Sequence, residues 1–304
     1  ASDVYKRQRY PNAPRHRFLI LLTKKLDPRD HFVSKWTIEK MAGYCGARLD
    51  GVLLKNAAIS ELEQMRNALF QYGVIIMPKQ FLNPEEHIEL AKFFGNIDIN
   101  RFFTPVVGHP MIAEVRTTPD QGAVLGGTWH TDHSYDRAPA MCSILSAQKL
   151  PPFGGDTHFS SMSAAYDALS PGFRDMLKDL RAWHSDSSFF DSDVGLEPNS
   201  KAFRDPVLHP VIIKHPTTGM PCVYVNGDFT THFEDWTKEE SAPLLSYLYA
   251  FVTQPIFTAR VVWEPGMVVI WDNRLVQHYA TADYSGHARL MHRITVEGVH
   301  LEGV

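Results

Sequence analysis

The chain has 304 residues, of which 44% are hydrophobic, and a formal net charge of -4 at pH 7. A chain of this length can bury a large core, and its weakly acidic charge excludes a whole-protein attraction to nucleic acid or to an anionic membrane surface. Its three cysteines share no CxxC spacing, which predicts reduced thiols and excludes a disulfide framework.

Residues 1 to about 34 are rich in Arg, Lys, Pro and Asp and show no sustained periodicity. We predict an irregular leader whose opening, Ala1 to Gln8, looks foreign to the rest of the chain and is non-native; a basic interaction tail is the alternative. The apolar run Phe18–Leu22 is too short to cross a bilayer and lacks the cleavage signature of a secretory signal. The predicted compartment is the cytoplasm, and residues 35–304 are predicted to form a single domain.

Helical periodicity marks the next part of the chain. Apolar residues at helical spacing predict a first helix over Ile59–Tyr72, beginning near Ser60, and the run Val74–Met77 predicts a buried strand. Asn83-Pro84-Glu85-Glu86 is a cap-and-start signal for a second helix that ends at Phe94. Further helical segments are predicted at Ser163–Ala168, Pro171–Leu180 and Lys238–Thr253.

From Ile112 onward, short apolar runs alternate with turns that contain Gly and Pro. The predicted strands are Ile112–Val115, Ala140–Gln148, Thr157–Ser160, Val211–Lys214, Cys222–Val225, Ala259–Trp263, Val268–Asp272 and Leu290–Glu297. Many short strands separated by turns favour a sandwich, barrel or jelly roll over a doubly wound sheet. The predicted fold class is mainly β with flanking helices.

The tripeptide His130-Thr131-Asp132, together with His278 far downstream, is the most informative motif of the sequence. Residues i and i+2 of a strand project from the same face, so His130 and Asp132 can both point into the mouth of a barrel. His278 follows an apolar strand, from whose end a loop can carry it to the same place. Two imidazoles and one carboxylate on one face of a metal ion leave the other face open, as in non-haem Fe(II) oxygenases. Each histidine taken alone is more often a surface or hydrogen-bonded core residue than a ligand.

Arg289 and Arg293 lie four residues apart in an apolar strand and therefore share one face. Two inward guanidinium groups are costly unless they meet anions. The planar fork of arginine suits carboxylate or sulfonate recognition, while pairing with Asp or Glu of the protein itself is the alternative.

Several ordered motifs between about Gly46 and Gly298 resemble one known family. They are Trp129-His130-Thr131-Asp132, Gly154-Gly155-Asp156-Thr157, Trp271-Asp272-Asn273-Arg274-Leu275-Val276-Gln277-His278-Tyr279-Ala280 and His292-Arg293. They resemble the taurine dioxygenase/TfdA family of Fe(II)- and 2-oxoglutarate-dependent dioxygenases. The resemblance implies a double-stranded β-helix, which is a jelly-roll, cupin-like core with the metal inside one end.

The resemblance also implies a role for particular residues. His130, Asp132 and His278 correspond to the iron ligands, and Thr157 and Arg289 to the residues that bind the distal carboxylate of 2-oxoglutarate. Thr157 as a plain strand residue remains an alternative.

At the positions that correspond to substrate contacts in the taurine enzyme, this chain has some different residues. Arg293 matches the residue that meets the acidic group of taurine, and His133 falls at a substrate-contact position or, alternatively, only supports the site. Asn100 and Phe103 replace a histidine and a tyrosine, which puts taurine itself in doubt. Phe189 is a candidate for an apolar wall of the substrate pocket, with ordinary core packing as its alternative.

The sequence therefore predicts an oxidoreductase that uses Fe(II), 2-oxoglutarate and O2. It would hydroxylate a small anionic substrate, such as a sulfonate, a sulfate ester or an aryloxy or other carboxylic acid, with C–X cleavage where the carbon carries a heteroatom. The alternatives are a metal-dependent hydrolase, in which Zn²⁺ activates water, and a non-catalytic jelly-roll protein that binds a small acid. Neither nucleic acid nor membrane is an expected partner, and the family implies a homo-oligomer, either a dimer or a tetramer.

Overall fold

The computed structural model describes residues 35–121, 126–187 and 204–304, so the predicted leader and Phe189 lie outside the described residues. In chain order, strands β1 to β9 are Thr37–Lys40, Ala47–Asp50, Val74–Met77, Ile97–Asp98, Pro105–Val106, His109–Thr117, Cys142–Lys149, Thr157–Ser161 and Arg181–His184. Strands β10 to β18 are Val207–Pro210, Ile212–Lys214, Pro221–Val223, Thr230–Phe233, Thr258–Val261, Val268–Asp272, Val276–Ala280, Arg289–Val296 and Glu302–Gly303. Helices α1 to α5 are Ile59–Tyr72, Pro84–Phe94, Met162–Ala168, Pro171–Leu177 and Lys238–Val252.

Two layered sheets, antiparallel except for the parallel pair β2–β3, form the centre of the molecule. The larger sheet has the strand order β1-β2-β3-β15-β7-β17-β6-β5, with β4 paired to β17, and a smaller sheet has the order β14-β8-β16. The chain changes sheet between β7 and β8, and again at each step from β14 through β15 and β16 to β17. This alternation between two layers is the connectivity of a jelly roll, and it confirms the predicted fold class.

The central strands of the large sheet, such as β3 and β15, are buried on both faces, whereas its edge strand β1 is exposed. One face packs against the small sheet, with Phe159 of β8 and Trp271 of β15 in ring contact at 5.5 Å between centroids. The other face is covered by α1 and α2, whose Met65, Leu69 and Leu90 belong to a second core cluster. Burial on both faces explains why β15 is a continuous apolar run and lacks the usual alternation of apolar and polar residues.

Capping residues mark the starts of the first two helices, and glycines mark their ends. The α1 helix has the predicted bounds, and its N-cap is Ala58, whose backbone N–H donates to the carboxylate of Glu61 at 2.7 Å. Asn83 caps α2 by accepting from the N–H of Glu86 at 2.8 Å, as predicted. A glycine follows each helix, Gly73 and Gly95.

Several strands were not predicted. They are β1, β2, β4, β5, β9, β10, β13, β16 and β18. The one that matters for function is β16, because it contains His278; the loop expected to carry His278 is in fact a strand.

The three cysteines are free and buried, as predicted. None of the helices in the described part of the chain combines the length and the apolar character that crossing a bilayer requires.

Candidate active site

A pair of reciprocal backbone hydrogen bonds brings His130 and His278 side by side. The N–H of His130 donates to the carbonyl of His278 at 3.0 Å, and the N–H of His278 donates to the carbonyl of His130 at 2.8 Å. His130 therefore lies in an isolated antiparallel bridge and not in the regular strand that the motif predicted, and Asp132 lies in the turn that follows. The two rings are 4.1 Å apart between centroids.

His130, Asp132 and His278 each offer one ligand atom to a common gap, and these atoms lie within 4.8 Å of one another. Oδ1 of Asp132 is 3.7 Å from Nε2 of His130 and 3.8 Å from Nε2 of His278. All three residues are at most 7% exposed. The predicted triad is thus assembled, and its two nitrogens and one oxygen fit a divalent cation.

The protonation states also suit a metal. Nδ1 of His130 lies 2.7 Å from the carbonyl of Thr128, so Nδ1 carries the proton and Nε2 presents a lone pair to the gap. Burial, and then His130, hold the pKa of His278 well below its usual value, which keeps that ring neutral. Burial alone would raise the pKa of Asp132, but Arg293 and the two histidines outweigh it and hold that pKa well below its usual value.

The two oxygens of Asp132 have different surroundings. While Oδ1 faces the gap, Oδ2 accepts a hydrogen bond from Oγ of Ser143 at 2.7 Å and forms an ion pair with the guanidinium of Arg293 at 2.9 Å. The sequence reading missed Ser143, because it treated residues 140–148 only as an apolar strand. A serine inside that apolar run was the available signal.

Arg289 and Arg293 both lie on β17 and are both buried, as predicted. The predicted alternative, pairing with an acid of the protein, holds for Arg293, which binds Asp132. Arg289 has no carboxylate within ion-pair distance among the described residues, and its Nε has no hydrogen-bond partner. Burial lowers the pKa of Arg289.

The surroundings of Arg289 form a small enclosure. Its guanidinium carbon lies 5.6 Å from the ring centroid of Trp263, and Nε1 of Trp263 donates to Oγ1 of Thr157 at 3.0 Å. A Cβ on Gly155, which has φ +70°, would lie 3.3 Å from Nε of Arg289, so glycine permits this close approach. Thr157 pairs with Ala280, two residues or about 7 Å along β16 from His278. Trp263, which the sequence reading did not assign to the site, joins the two predicted 2-oxoglutarate residues.

His133 borders a cavity of about 680 Å³. Its Nδ1 lies 3.2 Å from Asp136 and 3.3 Å from Asp98, while its Nε2 is buried and has no hydrogen-bond partner among residues 35–121, 126–187 and 204–304. Its φ of 59° lies in the left-handed region, which non-glycine residues seldom adopt.

Asn100 and Phe103 lie together on one turn. Oδ1 of Asn100 accepts hydrogen bonds from the backbone N–H groups of Phe102 and Phe103, at 2.8 and 2.9 Å. This oxygen therefore stabilises the turn, and contact of Asn100, Phe103 or His133 with a substrate stays a prediction.

Comparison with known proteins places these observations in a family. The model of the family described as "Taurine catabolism dioxygenase TauD, TfdA family" matches residues 37–295. An α-ketoglutarate-dependent sulfate ester dioxygenase of Pseudomonas putida is 31% identical over 86% of this chain and 89% of its own. An α-ketoglutarate-dependent 2,4-dichlorophenoxyacetate dioxygenase of a Burkholderia species is 32% identical over 76% of this chain and 84% of its own. The crystal structure of a taurine dioxygenase from Burkholderia xenovorans superposes with a TM-score of 0.77 and 31% identity, covering 88% of this chain and 93% of the other.

Proposed function

Because the chain belongs to the TauD/TfdA family of dioxygenases, we propose that it hydroxylates a small anionic organic substrate with Fe(II), 2-oxoglutarate and O2, releasing succinate and CO2. When bound, the metal and the keto acid supply the oxidising chemistry. The protein supplies ligands, orientation and a dry enclosure.

The observation that carries this proposal is the guanidinium of Arg289, which has no acidic partner in the described part of the chain and is buried in the enclosure with Thr157 and Trp263. A buried cation without a counter-ion is costly, and a ligand anion removes the cost. Thr157 pairs with Ala280, about 7 Å along β16 from His278, and the five-carbon chain of 2-oxoglutarate would span this separation. Arg289 and Thr157 would then hold the distal carboxylate.

The remaining residues would orient the reactants. Nε2 of His130, Oδ1 of Asp132 and Nε2 of His278 would hold the metal from one side, leaving the other side for the keto acid and O2. Arg293 would use a free N–H to bind the acidic group of the substrate while it keeps its contact with Asp132.

The substrate class follows from the relatives and from the departures at the site. Relatives named for sulfate esters, 2,4-dichlorophenoxyacetate and taurine share an anionic group on a small organic body. Phe103 in place of a tyrosine removes a hydroxyl, which favours a less polar substrate than taurine. We propose a sulfonate, a sulfate ester or an aryloxy or other carboxylic acid, with C–X cleavage where the hydroxylated carbon bears a heteroatom.

The two alternatives leave part of the site without a role. A zinc hydrolase gives no task to Arg289, and a non-catalytic binder of small acids gives none to the buried metal triad. We further propose a cytoplasmic enzyme that acts as a dimer or a tetramer and binds neither nucleic acid nor membrane.

The test is a succinate-release screen with Fe(II), 2-oxoglutarate and ascorbate over the proposed substrate classes, with phosphonates and amino-acid-derived acids included. We expect succinate to form in step with one substrate class, and Asp132→Ala to abolish it. Metal-dependent hydrolysis of a substrate without succinate would support the hydrolase instead.

A further inference from the structure

We propose that Ser143 is a positioning residue that holds Asp132 so that only its Oδ1 faces the metal; this rests on the proposed function. Ser143 lies on β7, and Asp132 lies in the turn after the His130–His278 bridge. Ser143 lies outside the sequence motifs that resemble the family.

The Ser143 hydroxyl uses its donor position and both of its acceptor positions. A hydroxyl has one proton to donate and two lone pairs to accept with. Its proton goes to Oδ2 of Asp132, its shortest contact, at 2.7 Å. Its lone pairs face Nδ2 of Asn273 at 3.3 Å and a guanidinium nitrogen of Arg293 at 3.5 Å.

Asn273 also holds the segment that contains Thr131 and Asp132. Nε1 of Trp271 donates to Oδ1 of Asn273 at 2.8 Å, which determines the orientation of the amide and turns Nδ2 towards Ser143. The backbone N–H of Asp132 donates to the same Oδ1 at 3.3 Å, and the hydroxyl of Thr131 donates to the carbonyl of Asn273. The backbone of Asp132 is thereby held by Asn273 and its carboxylate by Ser143.

Burial makes the hydroxyl hard to replace. Ser143 and Asn273 are both 0% exposed, so removal of the hydroxyl leaves a space that solvent does not reach and three buried groups with one partner fewer. The ion pair with Arg293 would still hold Oδ2, but without the serine proton the carboxylate of Asp132 would turn more easily and offer either oxygen, or both, to the metal. Outer groups that orient metal ligands typically affect affinity by about 10- to 100-fold.

The experiment measures Mn(II) binding to the apoprotein by electron paramagnetic resonance, so it does not depend on turnover. We expect Ser143→Ala to raise the Kd for Mn(II) about tenfold and Ser143→Thr, which keeps the hydroxyl, to stay close to the parent. The matched control is Ser146→Ala, because Ser146 is a buried serine on the same strand whose Oγ accepts from Gln148. It should bind Mn(II) like the parent.

A second readout separates positioning from a general loss of packing. The KM for 2-oxoglutarate should be unchanged in Ser143→Ala, because Arg289 and Thr157 do not contact Ser143, whereas the visible band of the anaerobic Fe(II)·2-oxoglutarate complex should shift. Equal Mn(II) affinity in Ser143→Ala and the parent, or equal weakening by Ser143→Ala and Ser146→Ala, would overturn the assignment.

Two further outcomes are distinguishable from these. If Ser143→Ala does not fold, Asn273→Ala tests the same network, and parent-like Mn(II) affinity in that variant overturns the inference. A parent protein that binds no Mn(II) overturns the proposed metal centre itself, and the role of Ser143 with it.

Discussion

Two arginines on one face of β17 have opposite environments. Arg293 binds the carboxylate of Asp132, whereas Arg289 is buried beside Trp263 and has no acidic partner among the described residues. A residue that lowers stability until its ligand arrives is a common feature of binding sites. The two side chains should therefore respond differently to substitution.

Arg289→Met should stabilise the apoprotein and weaken cosubstrate binding at the same time. Methionine keeps the apolar contact with Trp263 and removes the cost of an unpaired buried cation, so the apoprotein Tm should rise. Loss of a charged hydrogen bond of about 2 kcal/mol corresponds to a roughly 30-fold higher KM for 2-oxoglutarate. Thermal unfolding and initial rates check both parts. Arg289→Lys is the control, since it keeps the charge, and an unchanged KM in the methionine variant would contradict the role.

Arg293→Ala should raise chiefly the KM for the prime substrate. The polar contacts of Arg293 in the described part of the chain are with Asp132 and Ser143 and not with Thr157 or Trp263, so the KM for 2-oxoglutarate should change little. Initial rates with each ligand varied in turn measure the two constants. Equal effects on both would remove the division of labour between the two arginines.

At the scale of elements, α2 carries a buried titratable group against the large sheet. His87 is 1% exposed, and its Nε2 lies 3.2 Å from the carbonyl of Ile144 on β7. Burial, only partly opposed by that hydrogen bond, lowers the pKa of His87 to about 3. The unfolded chain binds this proton near pH 6.5, so the packing of α2 should be sensitive to acid.

The direction in which pH changes the folding stability follows from proton binding in the folded and unfolded states. Between about pH 6.5 and pH 3 the unfolded state binds the proton and the folded state does not. Folding stability should thus fall as the pH falls through this window, by about 1.4 kcal/mol per pH unit for this one group.

His87→Gln, which keeps a donor for Ile144, should reduce the slope of unfolding free energy against pH by that amount between pH 4 and pH 6. Urea unfolding at several pH values measures the slope. The exposed His300→Gln is the control and should match the parent. A parent-like slope in His87→Gln would show that His87 is protonated in the folded protein.

At the scale of the whole molecule, a second buried acid holds β15 to its neighbours without entering the site. Asp272 accepts from Arg274 at 2.6 Å and pairs with His215 at 3.0 Å, and both Asp272 and His215 are 0% exposed. Although burial alone would raise the pKa of Asp272, Arg274 and His215 outweigh it and hold that pKa well below its usual value.

Asp272→Asn should lower the free energy of unfolding by about 3–5 kcal/mol, because it leaves a buried guanidinium without its counter-charge. Asp50→Asn is the matched control, since it breaks a pair with Arg48 that is about one-third to one-half exposed and should cost under about 1 kcal/mol. Urea unfolding compares the two variants. Similar losses in both would mean that the Asp272 network contributes little.

The central layers were predictable from sequence because apolar runs between turns are local signals, and the convergence of His130, Asp132 and His278 was predictable because the motifs that carry them resemble a known family. The strand Val268–Asp272 was predicted with its observed bounds, since an apolar run lies between a Glu-Pro-Gly turn and polar residues. Strand β16 was missed because its buried Gln277 and His278 resemble loop residues, and their burial depends on pairing with β8. The two-residue strand β4 has no pattern of its own and exists only because β17 pairs with it.

The supporting contacts of the site were less predictable. The sequence did not predict which acid pairs with Arg293, because it does not show that the turn containing Asp132 lies beside Arg293 on β17. The same holds for Ser143 and Trp263, whose roles arise from distant chain segments.

The alternation of strands between two layers has a mechanical consequence. His278 and Thr157 belong to the small layer, while Arg289 belongs to the large one. A keto acid held by Thr157 and Arg289, and linked to His278 through the metal, would be a removable cross-link between the layers. Amide hydrogen exchange in β8 and β17 should therefore slow together when it binds, so that the enzyme is most rigid when it is loaded for reaction.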